Sequence, residues 1–420
     1  MRRPHPCDTS SVSVFLIAAA ASLALAATPA TAQEAKPGPG KAPESWAVAT
    51  ADTIMKRYLD FRKAYFRPWT YVHGYDLYAF EMLYRSTGDK KYLDYLKTYI
   101  AQIVDEQGNL TYVDRKTDKE TPVSLTNLDN MMTGNSVVAM YEYTREERYL
   151  LAAKKIRKAL DTYPRNSDGG FWHAKSLKGQ MWIDGVFMGG MFLIRYGKSI
   201  GDSDYCFDEV TKQITVFAKH CKKGDGGLYL HAWSESPEAT KWKADPKTGL
   251  SSEVWSEGLG WYALILVETL AVLPKDHPKR DEVVTILRDL AKGLKRTQDA
   301  KTGRWFQVVD KGDQPDNWTD TSGSAMFVYC LHRGIELGLL DKDEYAPVVA
   351  KGYKGIVANA TVNDEGLVDI VSACDGLGVQ QDYAHYINYK KSINAKEAVG
   401  GFLWATAIVE KPGPKKRPER

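Results

Sequence analysis

Tyr84-Arg85-Ser86-Thr87-Gly88-Asp89-Lys90-Lys91-Tyr92-Leu93 is echoed at Tyr141-Glu142-Tyr143-Thr144-Arg145-Glu146-Glu147-Arg148-Tyr149-Leu150. Each copy reads as a tight turn from one helix into the next: a polar cap, acidic first-turn residues, then an aromatic anchor. Looser copies stand at Gly201-Asp202-Ser203-Asp204-Tyr205 and Asp341-Lys342-Asp343-Glu344-Tyr345. Tyr92, Tyr149 and Tyr205 are 57 and 56 residues apart, which marks an internal repeat. Around these turns, apolar residues recur with helical period over Thr53–Lys63, Asp76–Arg85, Lys91–Ile103, Ser136–Tyr143, Tyr149–Leu160 and Tyr262–Leu273. The same period runs through Glu282–Leu294, Ala325–Leu337, Tyr345–Ile356 and Phe402–Val409. A second marker, an acidic residue and a Gly ahead of apolar or aromatic residues, lies between the helix pairs. Its copies are Asp105/Gly108, Asp168/Gly170, Asp225/Gly227, Asp299/Gly303 and Asp364/Gly366. Five junctions separate six helix pairs. Six hairpins make an open solenoid or a closed ring, and an open solenoid needs polar capping repeats that neither end supplies. The expected fold is therefore all-α, an (α/α)6 barrel (a six-hairpin toroid), in one domain over residues 45–410.

The flanks are of a different kind. Arg2 and Arg3 precede an uncharged, largely apolar run from Val12 to Ala27, and Ala30-Thr31-Ala32 fits a small-residue cleavage site. Residues 1–32 read as a secretory signal peptide, so the expected location is periplasmic or secreted. Pro37-Gly38-Pro39-Gly40 places a linker over 33–44, and the basic, Pro-rich 411–420 reads as a disordered tail. The formal charge is +3, and +2 without the signal, which gives no reason to expect nucleic acid or a membrane as partner. Cys206, Cys221, Cys330 and Cys374 remain after the signal, without CxxC or metal-type spacing. Cys206 and Cys221 fall near opposite ends of one helix, roughly 22 Å apart at helical rise, so they cannot pair; all four read as buried small apolar residues.

The Gly-aromatic junctions of such a ring gather on one face, and candidate site residues concentrate there. They lie in Trp69-Thr70-Tyr71-Val72-His73, at Asp129, and in Trp172-His173, Trp182-Ile183-Asp184 and His231-Ala232-Trp233. Trp255-Ser256-Glu257-Gly258-Leu259-Gly260-Trp261 and Asp316-Asn317-Trp318 complete the rim. Trp offers a flat apolar face and one donor, which suits the C–H faces and hydroxyls of a sugar. Asp184 sits in an almost wholly apolar stretch, Gln180 to Gly190, and has two readings. It caps a helix running from about Val186 to Tyr196, or it is a carboxylic acid in an apolar aromatic pocket, protonated by desolvation and able to donate that proton. Asp129, entering another apolar helix, carries the same two readings. His73, His173 and His231 each read as hydrogen-bonded structural histidines. They lie too far apart, without HExxH spacing, to name a metal site. No nucleophile elbow, phosphate loop or dinucleotide fingerprint appears, so no cofactor is expected.

At these residues the chain resembles the unsaturated rhamnogalacturonyl hydrolases of glycoside hydrolase family 105, relatives of the unsaturated glucuronyl hydrolases of family 88. The resemblance runs from about Trp46 to Ile408. It is carried by Gly169-Gly170-Phe171-Trp172-His173, Gln180 to Gly190, Tyr229 to Trp233, Glu253 to Trp261, Val309 to Trp318 and Ser322 to Met326. It implies the same barrel and an oligosaccharide partner, the product of a polysaccharide lyase, bearing a 4,5-unsaturated uronic acid. Asp184 is then the acid that protonates C4 of the vinyl ether and helps water add at C5. Asp129 is the second pocket aspartate. Tyr71, His173, Trp182, Met188, His231, Trp255 and Trp261 match positions that line the sugar subsite. Four departures bear on the substrate. Glu257 stands between the two tryptophans where those members carry Arg, and whereas Arg suits a carboxylate, Glu there would repel one. Ala174 replaces a basic residue, Asn394 to Gly400 replaces an Asn-Asp-x-His-Gly motif, and Val113–Thr126 looks longer. Two other readings stand beside this one: a glycosidase for saturated uronic or neutral sugars using Asp184 with Glu257, or a non-catalytic sugar-binding protein on the same ring.

Overall fold

The computed structural model describes residues 42–414; the signal segment, most of the expected linker and residues 415–420 of the tail lie outside them. The helices are α1 (Trp46–Arg57), α2 (Tyr71–Thr87), α3 (Lys90–Ala101), a short α4 (Asp129–Met132), α5 (Gly134–Thr144), α6 (Glu147–Ala159) and α7 (Ile183–Ser199). Then come α8 (Ser203–Cys221), α9 (Ser256–Val272), α10 (Arg280–Thr297), α11 (Thr321–Glu336), α12 (Lys342–Val357), a short α13 (Tyr383–Ile387) and α14 (Lys396–Glu410). Strands are two or three residues long and pair into two-stranded ribbons.

Two kinds of helix alternate, and their sequences say why. In α9 every residue from Ser256 to Leu270 is buried, as expected of a helix apolar on all sides. In α10 burial is confined to Val283, Ile286, Leu287, Leu290, Ala291, Gly293 and Leu294, one stripe with charges opposite. Helices of the first kind form an inner ring, α2, α5, α7, α9, α11 and α14, whose last member packs back on the first. Helices of the second kind form the outer layer: α3 on α2, α6 on α5, α8 on α7, α10 on α9 and α12 on α11. This is the (α/α)6 barrel.

The repeat that predicts the ring makes its inner-to-outer turns. Gly88 (φ 69°) and Arg145 (φ 60°) occupy the same place in the two copies, both left-handed, and each ends its helix by donating back to Tyr84 or Tyr141. The aromatic anchors Tyr92 and Tyr149 are fully buried. The outer-to-inner connections are longer and carry the acid-Gly marker. Its left-handed residues are Gly108, Gly227, Gly303 and Gly366, with Gly169, rather than the expected Gly170, in the second copy.

Two expectations change. The helix expected over 53–63 begins at Trp46 and stops at Arg57. Beyond it Asp60 accepts from Arg62 N and pairs with the Arg62 side chain, fixing a separate 3-10 turn, Phe61–Lys63. The six pairs are also not six consecutive hairpins. Five are; the sixth joins the two ends of the domain, α1 packing on α14. Its seam is held by Glu410, whose carboxylate accepts from Ser45 Oγ (2.6 Å), Trp46 N (3.0 Å), Ala47 N (3.1 Å) and Tyr353 OH (2.6 Å). A carboxylate on the open N–H groups of a helix start complements both hydrogen bonding and dipole. Inside, Trp404 of α14 stacks on Tyr78 (4.5 Å) and donates Nε1–H to Tyr75 O (2.7 Å) of α2. The four cysteines among the described residues are buried and free, and Cys206 and Cys221 lie on the one helix α8.

Glu410→Ala is expected to lower unfolding stability by about 2 kcal/mol, because it orphans several donors at once; chemical denaturation measures this, and an unchanged midpoint would remove Glu410 from the closure. Asp76, fully buried in α2, accepts from the Tyr65 hydroxyl, while its Oδ1 is unpartnered. Burial, against the Tyr65 hydrogen bond and with Glu397 nearby, pushes its pKa from 3.8 up to about 8. Unfolding releases that proton between about pH 4 and 8, so this group's contribution to stability falls as pH rises through the window. Asp76→Asn should therefore flatten the decline in melting temperature between pH 5 and pH 8.

Candidate active site

Every inner helix enters the ring from the same mouth, so their N-termini converge there, and their first turns carry polar side chains. Tyr71 opens α2, Asp129 opens α4 just ahead of α5, Asp184 is in the first turn of α7, Glu257 of α9 and Glu397 of α14; Asp320 caps α11. Among these ends lies a cavity with about 620 Å³ of empty space, its mouth included. Tyr71, Asp129, His173, Trp182, Asp184, Met188 and Glu257 line it, together with Phe66, Gly376, Leu377, Gly378 and Lys396.

A short ribbon sets the position of Asp184. Gln180–Trp182 pairs antiparallel with Ala232–Ser234, and Ile183 N donates to His231 O (2.9 Å). The helix therefore starts at Ile183, three residues earlier than expected, with Trp182 at the cap position, and Asp184 makes no cap bond. Its Oδ2 instead meets His231 Nε2 at 3.0 Å, while His231 Nδ1 meets Tyr386 OH at 2.8 Å. Tyr386 OH also accepts from Gln380 N (3.3 Å), so the imidazole bridges an anchored tyrosine hydroxyl and the Asp184 carboxyl. That holds one carboxyl oxygen of Asp184 and leaves the other for the cavity.

Asp129 likewise does not cap its helix; its backbone N–H donates to Asn127 Oδ1 (2.9 Å). Its Oδ1 lies 3.5 Å from His173 Nε2. His173 stacks on Trp182 with centroids 4.5 Å apart and planes within 10°, and its backbone is stitched between Gln180 O and Leu128 N. Gly185 allows this approach, since a Cβ there would meet Leu128 Cδ1 at 2.9 Å and His173 Nδ1 at 3.1 Å. Burial alone would lower the His173 pKa, but the Asp129 carboxylate, with Asp184 behind it, outweighs burial and holds it above the usual value.

Glu257 is buried at the cavity floor, and Ser322 Oγ lies 2.9 Å from its Oε2 and 2.7 Å from Asp320 Oδ2. One hydroxyl has one proton to give, so one of these contacts uses a proton on a carboxyl. Asp320 also accepts from Gly323 N (2.7 Å) and Cys374 N (3.3 Å), which suits an ionised group. Burial, with Glu397 and Asp320 nearby, pushes the Glu257 pKa well above the carboxylate range. The residue expected to repel a carboxylate is thus held neutral. Beside it Tyr71 OH donates to Glu397, whose Oε1 is 2.7 Å from Lys396 Nζ.

Of the expected sugar-lining residues, three lie behind the wall. His231, Trp255 and Trp261 are about 1% exposed. Trp255 packs on the His231 ring (4.6 Å) and Trp261 on Tyr75 (4.7 Å) and Phe187 (4.9 Å), because the α9 first turn presents Glu257 to the cavity and turns both indoles into the core. His73 is a buried structural histidine stacked on Tyr99 (4.9 Å), its pKa lowered by burial to about 3. Sequence reasoning passed over Lys396, Glu397, Tyr386 and Phe66. The first two stood inside the divergent 394–400 segment, which was the available signal; Tyr386 and Phe66 had none. A second hollow, sharing Phe66, Tyr71 and Asp129 with the first, continues past Ser124, Thr126, Asn127 and Asn130.

A model of Glycosyl Hydrolase Family 88 matches residues 46–412. Unsaturated rhamnogalacturonyl hydrolase YesR of Bacillus subtilis (strain 168) is 26% identical over 357 residues, 83% of this chain and 91% of that protein. Protein Atu3128 of Agrobacterium fabrum is 34% identical over 171 residues, 41% of this chain and 71% of its own. Among solved structures, a glycoside hydrolase from family 105 of C. acetobutylicum ATCC 824 is 29% identical with a TM-score of 0.79, covering 87% of this chain and 99% of that one. The unsaturated glucuronyl hydrolase of Bacillus sp. GL1, 15% identical with a TM-score of 0.59 over 87% of this chain and 95% of that one, shares the fold.

The Asp129–His173 pair predicts a titration. In Asp129→Asn the anion that opposes burial is gone, so the His173 ring pKa should drop, as followed by NMR of labelled histidine rings with His173→Gln for assignment. An unmoved pKa would show that Asp129 does not govern this ring.

Proposed function

Because the chain belongs to Glycosyl Hydrolase Family 88 and is a glycoside hydrolase, we propose that it is an exported enzyme that removes a terminal 4,5-unsaturated uronic acid from polysaccharide-lyase oligosaccharides. The observation that carries this reading is the Asp184 carboxyl, anchored through one oxygen by His231 and lining a cavity it shares with Asp129. Export rests on the sequence of residues 1–32 alone.

The proposed reaction begins with proton transfer from Asp184 to C4 of the vinyl ether, leaving positive charge at C5 and the ring oxygen. Water adds at C5 and gives its proton to the Asp184 carboxylate, restoring the acid. The resulting hemiketal opens, and the bond to the next sugar breaks with release of that sugar's hydroxyl. One carboxyl acts twice, unlike ordinary glycoside hydrolysis, where two carboxyl groups flank the anomeric carbon. The His231–Tyr386 chain keeps the Asp184 oxygens distinct, one held and one reacting. Trp182, stacked on His173, offers the sugar an apolar face, and Asp129 with His173 supports hydroxyls on the same side. The hollow beyond Asp129 takes the leaving sugar.

A glycosidase using Asp184 with Glu257 as its second carboxylate needs Glu257 ionised, and burial beside Glu397 and Asp320 opposes that. Two measurements separate the readings. Lyase-generated oligosaccharides should lose their ene-carboxylate ultraviolet absorbance on addition of the enzyme, and Asp184→Asn should lose about 10²–10⁴-fold in kcat/KM. Glu257→Gln should stay within about tenfold of wild type. No absorbance loss across a broad panel of lyase products, or full activity in Asp184→Asn, would sink the hydration reading; release of saturated sugars that collapses in Glu257→Gln would establish the other.

A further inference from the structure

Among the described residues, Lys396 is the single lysine or arginine lining this cavity; Arg67 lines the hollow beyond Asp129. Each pocket carboxyl already has its own donor: His231 for Asp184, His173 for Asp129, Ser322 beside Glu257, and Tyr71 for Glu397. Lys396 differs in having capacity left over. Its ammonium carries three N–H donors and meets Glu397 Oε1 at 2.7 Å; its next carboxylate, Asp375, is 3.8 Å away and is paired at 3.0 Å with Lys390. The side chain remains 18% exposed, in the first turn of α14, whose cap residue Ala395 offers no side-chain oxygen.

We propose that Lys396 selects a carboxylate-bearing sugar by binding the C5 carboxylate of the residue in the cavity, taking the part that the Glu257 position cannot. This deepens the reading of the site as one for a uronic acid, and rests on it. A single ammonium binds such a group as a point charge, without the two-pronged geometry of a guanidinium. It tolerates different carboxylate orientations, so the site should admit more than one uronic acid epimer.

The test measures binding apart from turnover. By titration calorimetry, the wild-type protein should bind D-glucuronate and D-galacturonate at least about tenfold tighter than their methyl esters, the range of a charge-assisted contact. Lys396→Met should erase that preference, and Lys396→Arg should keep most of it. Since Lys396→Met leaves Glu397 without its cation, the double variant Lys396→Met/Glu397→Gln removes the ion pair as a unit and takes its place if the single variant does not fold. On a lyase product, Lys396→Met should raise KM at least about tenfold with kcat within about threefold, a split that general loosening of the site does not produce. No acid-over-ester preference in the wild type, or its survival without Lys396, overturns the proposal. Absence of turnover on every lyase product would instead strike the hydration reading and leave the calorimetric preference standing.

Discussion

The structure depends on one constraint: each inner helix is returned by an outer one, so all six inner helices must point the same way. Their N-termini then meet at one mouth and their C-termini at the other. A helix end carries roughly half an elementary charge; carboxyl groups stand at the N-terminal mouth, while the far mouth mixes arginines with Glu81, Glu142 and Glu268. Asp129, Asp184, Glu257 and Glu397 stand in first turns at the cavity. At the far end Arg195 of α7 bridges Glu81 and Glu142, with Arg85 and Arg333 in the last turns of α2 and α11. The backbone N–H groups at these helix starts favour charged carboxyls, while Glu257, buried with Glu397 and Asp320 beside it, is kept neutral.

On this background the individual pairings set separate roles. Asp184 and Asp129 each face a histidine, yet the two histidines are unlike. His231 is buried and bound on both nitrogens, whereas His173 lies against the cavity with its ring lifted toward the protonated form by Asp129. Glu257, at the cavity floor beside Ser322 and Asp320, belongs to neither pattern. The buried indoles of Trp255 and Trp261 pack behind the wall, Trp255 on His231 and Trp261 on Tyr75 and Phe187. The site is a polar ring on an aromatic bed.

The fold was legible in the sequence because its signal is local and repeated. The turn at Tyr84–Leu93 uses Gly88 for its left-handed residue and Asp89 for its cap, its copy keeps the spacing, and the inner helices are mostly buried along their length. The closing pair was not legible, since no turn connects α1 to α14 and the contacts that join them, Glu410 on the start of α1 and Trp46 against Phe402, span nearly the whole chain. For the site, periodicity could place Asp184 and Asp129 at helix starts but not tell a cap from a pocket-facing acid. That difference lies in a ribbon between Trp182 and Ala232, fifty residues apart in the chain. The same limit hid the inward turn of Trp255 and Trp261, which depends on which face α9 gives the cavity. Lys396 and Tyr386 arrive from the C-terminal segment, where the sequence departs from the motif it resembles and pattern matching has least to offer.

The pairing of the first helix with the last also governs how the protein comes into being. During synthesis α1 and α2 emerge early, but the surfaces they need, α14 with Trp404 and Glu410, are made last. Until then Tyr75 and Tyr78 lack the indole that covers them, and the inner wall stands open along one seam. Contacts spanning nearly the whole chain carry a large loop-closure cost and slow folding, and exposed apolar wall is prone to association in the meantime. The same adjacency means that the two ends could be joined and the ring reopened at the Gly338 turn between α11 and α12, far from the mouth, with every inner helix keeping its neighbours. Where the chain begins is thus a matter of folding order, while the mouth of the ring is fixed by its topology.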